Sequence, residues 1–230
     1  MSVPEGAPSS PPAISPGGRS ALAAAVAELR DDLLAAGGPR ISTTGTYRFA
    51  ILVYDPRREF ELRRAIRDLK DEMDRLDWSV HVVSLHKLFF ERLRREVGPE
   101  LLERWIATEK RLRSRAPERG LEFFKDKLAR LVEGPDGIAR DVERWIDGIL
   151  AQHDVDKART VILLGRAGAL YPFFRSSALL KHLDGKTRAL PVVLLYPGLR
   201  RDLTRLSFMG ELPADGDYRP RIYGGSATQT

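Results

Sequence analysis

The sequence contains no cysteine. That excludes a disulfide framework, a thiolate zinc site, an iron–sulfur cluster and a cysteine nucleophile. No apolar run approaches the roughly 18–20 residues that a membrane-spanning helix needs. There is no G-x-x-x-x-G-K-[ST], so the lysine and hydroxyl that hold phosphate and magnesium in a P-loop are missing. G-x-G-x-x-G, G-x-S-x-G and H-E-x-x-H are absent too. The four histidines, His81, His86, His153 and His182, have no metal-ligand spacing. These absences point away from a catalytic set, a metal and a cofactor. What remains is ordinary for a folded protein: 230 residues, 43% hydrophobic and 30% charged. The net charge is +6, with acids interleaved among the bases, a surplus of the size that keeps a domain soluble.

Residues 1–19 carry Pro4, Pro8, Pro11, Pro12 and Pro16 among glycine and serine and read as a disordered tail. They lack the basic and apolar regions of a signal peptide. Ser20 is placed to cap a helix to about Ala36, with Leu22, Val26, Leu29 and Leu33 on one face and Gly37-Gly38-Pro39 as its stop. Phe49 to Tyr54 is an unbroken apolar run of strand length, suited to a strand buried on both faces. Asp55 follows as a helix cap with Pro56 after it. Leu62, Ile66, Leu69, Met73 and Leu76 then trace the apolar stripe of a helix, and Val80 to Ser84 a second strand. A helical section of about 85–152, broken at Gly98-Pro99 and Gly134-Pro135, exceeds what one crossover requires and reads as an insertion. Strands return at Thr160–Leu164, Leu190–Tyr196 and Tyr218–Tyr223, with a helix over Ser176–Leu183. The expected fold is α/β: a three-layer, Rossmann-like, mostly parallel sheet with an inserted helical section. It forms one domain over 20–223, and 224–230 is a frayed end.

Sheets of this kind bind ligands at the carboxyl ends of their strands. Those ends supply Asp55, Arg57 and Arg58, then Ser84 and His86, then Gly165, Arg166, Gly168, Tyr171 and Arg175, then Tyr196, Gly198, Arg200 and Arg201. Asp55 is the only clear carboxylate among them, and capping explains it better than catalysis does. From Arg166 onward there are ten basic residues against five acidic ones, so +5 of the net +6 lies there. With Tyr171, Phe173, Phe174, Tyr196, Tyr218 and Tyr223 close by, this section can be read as a nucleic-acid surface. It can equally be a protein contact, or core aromatics with arginines paired inside the fold.

The run Val161 to Arg175 (VILLGRAGALYPFFR) resembles the strand and R-V-G-A-L-x-P-F-x-R segment of the BrxB family. Ser177–Leu183, Pro191–Gly198 (PVVLLYPG), Leu206–Gly210 (LSFMG), Tyr218–Tyr223 (YRPRIY) and the strand-plus-Tyr54-Asp55-Pro56 opening resemble further family segments, in order. Ser207 stands where the family pattern has arginine. The resemblance implies a cytoplasmic component of a bacterial BREX phage-exclusion system, encoded beside a PglZ-type protein, a large ATPase and a DNA methyltransferase. It implies a non-catalytic accessory or scaffold role, with the PglZ-type protein as the foremost partner and other BREX components as further ones. No cofactor and no membrane are implied. Asp55, Arg166, Arg175, Tyr196, Arg219 and Tyr223 are the candidates for partner or anion binding. A DNA-binding subunit using the basic C-terminal section, or a degenerate nucleotide-binding α/β domain, are the alternatives.

Overall fold

A computed structural model describes residues 17–41, 48–152, 155–202, 204–214 and 220–225. Its centre is a six-stranded sheet. β1 (Phe49–Tyr54), β2 (Ser79–Ser84), β3 (Thr160–Gly165), β4 (Val192–Arg200) and β6 (Arg221–Gly224) pair in the order β2-β3-β4-β1-β6, all parallel. β5 (Leu206–Phe208) pairs antiparallel with the far end of β4. The α/β, mostly parallel, three-layer expectation is met. β1 and β2 are not neighbours, because β4 and β3 lie between them.

Parallel strands need crossovers, and the crossovers cover both faces of the sheet. α1 (Gly17–Leu33) and α2 (Glu59–Asp74) lie on one face. α3 (Leu85–Glu96), α5 (Pro117–Val132), α6 (Ile138–Leu150) and α7 (Ser176–Leu183) lie on the other. Alternation along each strand divides the core between them. Phe49, Ile51 and Val53 of β1, Ile162 and Leu164 of β3 and Val192, Leu194 and Tyr196 of β4 face α3, α6 and α7. Ala50, Leu52, Tyr54, Val161, Leu163, Val193 and Leu195 face α1 and α2. Register pairs like with like, Ile51 beside Leu194 and Leu52 beside Leu195.

Several boundaries move. α1 starts at Gly17, so Ser20 lies inside it rather than capping it. The rest of the Pro-rich stretch lies outside the described residues. Asp55 caps a 3-10 turn, Pro56–Arg58, and α2 begins only at Glu59. The inserted section holds four helices, α4 (Pro99–Arg113) and α5 among them, with Pro117 at the start of α5. β4 runs to Arg200, well past Tyr196, because β5 folds back onto it. Gly198 permits that return. A Cβ there would sit 2.3 Å from the carbonyl oxygen of Ser207. β6 starts at Arg221. Of the strand expected from Tyr218, the first two residues lie outside the described residues, as does most of the proposed frayed end.

Charge ties the helical section to the sheet. The buried Asp141 of α6 accepts from Arg92 and from Arg95 of α3 (2.9 Å), and from Arg144 one turn along (2.6 Å). The buried Glu143 faces Arg140 (2.6 Å), Arg188 (3.2 Å) and Lys186 (3.8 Å), the last two from the turn that leads into β4. Burial pushes the Glu143 carboxyl up, but these cations outweigh it and hold it below the ordinary range.

A carboxyl depressed in the folded state stabilises above its unfolded pKa, about 4.3, and that stability drains as pH falls through the lower folded value. Urea unfolding should therefore weaken steadily below pH 4.5. Glu143→Gln should be less stable at pH 7 and lose less on acidification than the native chain.

Candidate functional site

The strand ends converge on the carboxyl edge of the sheet. Tyr54 closes β1 toward the α1/α2 side and donates its hydroxyl to Glu59, in the first turn of α2. Glu59 also faces Arg166 across 3.6 Å. Arg166 follows β3 in a left-handed conformation (φ 64°) that turns the chain into the 3-10 segment Ala167–Leu170. A line Tyr54–Glu59–Arg166 thus joins the ends of β1 and β3 across β4. Gly168, Pro197 and Met209 close a small cavity of about 180 Å³ beside it. Burial first, and then the carboxylate of Glu59, push the Tyr54 phenol far above its ordinary value, so it stays a hydrogen-bond donor.

Glu59 is the carboxylate that sequence reasoning missed. Its place in the first turn of the helix after the central strand was the available signal. Asp55, by contrast, is an exposed cap: it accepts from the backbone N–H of Arg57 at 2.9 Å. Arg58, in the same turn, is buried against Glu61.

On the α2 side the edge opens into a groove of about 700 Å³ between α2 and the ends of β2 and β3. Leu62, Ile66 and Leu195 form its apolar floor. Val82, on the edge strand β2, is 50% exposed and Phe60 is 79% exposed. Arg63, Arg67, Lys70, Lys87 and Arg166 line the groove against the single carboxylate Glu59. Lys70 is held by Asp74 at 2.6 Å, and Arg63 lies over the Phe60 ring at 5.7 Å. Among the described residues, Arg63, Arg67 and Lys87 have no carboxylate within ion-pair distance. The groove is suited to an acidic partner that also offers an apolar anchor.

The remaining candidates do not gather there. Arg175 and Tyr196 line a separate cavity of about 300 Å³ on the opposite face, with Phe174, Leu206 and Phe208. Arg175 is 73% exposed and 3.6 Å from Glu133. Tyr196 is fully buried, edge-on to Phe208 at 5.4 Å. Tyr223 is buried on the α1/α2 side, where its hydroxyl donates to Asp32 at 2.8 Å and Arg221 lies over its ring. Arg219 lies outside the described residues. Phe174 is core and Phe173 packs on it. His81 meets Trp145 edge-on at 5.6 Å.

Five of the ten bases in the C-terminal section meet carboxylates from earlier in the chain, while Lys181, Arg201 and Arg205 are exposed with no carboxylate within ion-pair distance among the described residues. Arg166 faces Glu59, Arg175 faces Glu133, Lys186 and Arg188 face Glu143, and Arg221 meets Asp32 (2.7 Å) and Glu28 (3.2 Å). Ser207, where the family pattern has arginine, is buried and donates to the carbonyl of Leu212 at 2.7 Å.

A family model described as "BREX protein BrxB" matches residues 81–222, more than half of the chain. The matched stretch begins within β2 and ends within β6. No curated protein and no solved structure matches. Among the described residues, no helix is long and apolar enough to cross a membrane.

Two substitutions separate structural from site roles. Tyr223→Phe removes a bond to a buried carboxylate and should cost about 1–3 kcal/mol in urea unfolding. Glu59→Gln should bring the Tyr54 phenol down toward, but not to, its ordinary range. The difference between its absorbance titration and that of Tyr54→Phe checks this.

Proposed function

Because the chain belongs to the BrxB family, it is a component of a BREX phage-exclusion system, and we propose that it serves there as a non-catalytic docking subunit for the PglZ-type protein. The observation that carries this reading is the groove at the carboxyl edge. There an exposed phenylalanine stands among cations, of which Arg63, Arg67 and Lys87 have no carboxylate within ion-pair distance among the described residues. An aromatic ringed by arginines has the composition of a binding hot spot. Its charge favours an acidic segment of the partner and would speed the encounter. Phe60 and the apolar floor supply the part of the affinity that salt does not screen. In this reading Tyr54, Glu59 and Arg166 fix the inner end of the groove rather than carry out chemistry. The protein acts in the cytoplasm, beside the enzymes it helps assemble, and other BREX components can join through its remaining surface.

Co-expression with the PglZ-type protein, followed by size-exclusion chromatography at low and high salt, tests the reading. The native chain should form a complex that weakens with salt but persists. Phe60→Ala combined with Arg67→Glu should weaken it by about 2 kcal/mol or more, roughly thirtyfold in Kd. Arg175→Glu, on the opposite face, should leave it intact. A folded groove variant that still binds normally would sink the assignment of this surface, as would a complex lost through Arg175→Glu alone.

A further inference from the structure

α4 and α5 form an antiparallel hairpin, and its outer half is an arm. α4 has no fully buried residue. Leu102 and Trp105 of α4, and Phe124, Leu128, Leu131 and Val132 of α5, belong to the core or pack against it. From residue 106 to residue 123 no side chain joins either core cluster. Gly120 lets the two helices close on each other there, since a Cβ would lie 3.0 Å from that of Arg113.

The tip of this arm, residues 110–119, holds Lys110, Arg111, Arg113, Arg115 and Arg119 against Glu118 alone. All five bases are exposed. Arg113 lies 3.5 Å from Glu109 of its own helix. The other four have no carboxylate within ion-pair distance among the described residues. Helix energetics account for only part of this charge. Lys110, Arg111 and Arg113 sit in the last turn of α4, where the dipole favours cations. Arg115 lies beyond it. Arg119 lies in the first turn of α5, where the dipole opposes a cation. Nothing in the fold therefore calls for those two.

We propose that the tip of the α4–α5 hairpin is a contact for the phosphate backbone of duplex DNA. Residues 106–119 contain no aromatic side chain, so the tip has no platform for stacking unpaired bases. The tip presents two packed helix ends, about 20 Å across in all, too wide to enter a B-form major groove about 12 Å wide, so its basic side chains lie against the phosphates that border the groove. With backbone contacts alone the binding is independent of sequence and set by counterion release. The arm is separate from the docking groove, so the two surfaces stand or fall independently.

Fluorescence anisotropy of the full chain with a labelled duplex of arbitrary sequence, across a salt series, tests this. The native chain should bind at low salt, with log affinity falling against log salt at a slope of about −4. Arg111→Glu, Arg115→Glu and Arg119→Glu together should weaken binding more than tenfold at low salt, with native circular dichroism. The matching glutamine set, which serves also if the glutamate set misfolds, should flatten the slope by about 2.7. Arg63→Glu with Arg67→Glu, in the groove, should bind DNA as the native chain does. No binding by the native chain, an unchanged slope in the folded arm variant, tighter binding to duplex RNA, or equal loss in the groove variant would each overturn the proposal.

Discussion

β1 and β4 pair in parallel in the interior of the sheet, and water reaches neither face of that pair. Every residue of β1 is buried, as are the first seven of β4. Burying each large apolar side chain contributes about 1.5–3 kcal/mol, but only if a second layer covers it. The requirement holds on both faces at once. It places α1 and α2 on one side and α3, α5, α6 and α7 on the other, and it fixes the register that sends alternate residues to the two cores. Gly198 ends the arrangement: beyond it β4 leaves the parallel sheet and pairs with β5.

The same constraint creates the functional edge. Parallel strands bring their carboxyl ends to one side, and the loops that leave them must turn at once into helices on alternate faces. Tyr54, Glu59 and Arg166 come from two such loops and meet only because β1 and β3 flank β4. α2 crosses from β1 to β2 and leaves the outer end of β2 uncovered, so Val82 remains exposed and the groove opens beneath Phe60. The cations along α2 then face a cleft instead of open solvent.

Charge is sorted by the fold in a way that composition conceals. Five of the ten bases in the C-terminal third meet Glu28, Asp32, Glu59, Glu133 and Glu143, all from earlier in the chain. Bases without a carboxylate partner among the described residues include Arg63, Arg67 and Lys87 at the α2 groove and Lys110, Arg111, Arg115 and Arg119 at the hairpin tip. One set lies on the sheet domain among apolar side chains, suited to a protein. The other lies at a hairpin tip, residues 110–119, with neither aromatics nor core contacts, suited to a polyanion. On the two proposals made above, one subunit would hold a protein partner and a nucleic acid together.

The sequence by itself determined the layer architecture and most of the elements. Two-sided apolar runs such as Phe49–Tyr54 and the apolar stripe of α2 follow from local periodicity, which needs no knowledge of the rest of the chain. Gly98-Pro99 and Gly134-Pro135 break helices for equally local reasons. The family segments from Val161 onward were legible too, and the match over 81–222 supports them. Only the tertiary structure decided which charges are balanced and which residues share a surface. Tyr196 and Tyr223 look alike in sequence, yet strand order and alternation bury them in opposite cores. Glu59 meets Arg166 only because β3 brings that residue beside the start of α2. Ile106 and Leu121 are apolar yet exposed, because the end of the hairpin leaves the sheet behind. Pairing between segments far apart in sequence depends on topology, and local pattern carries no record of it.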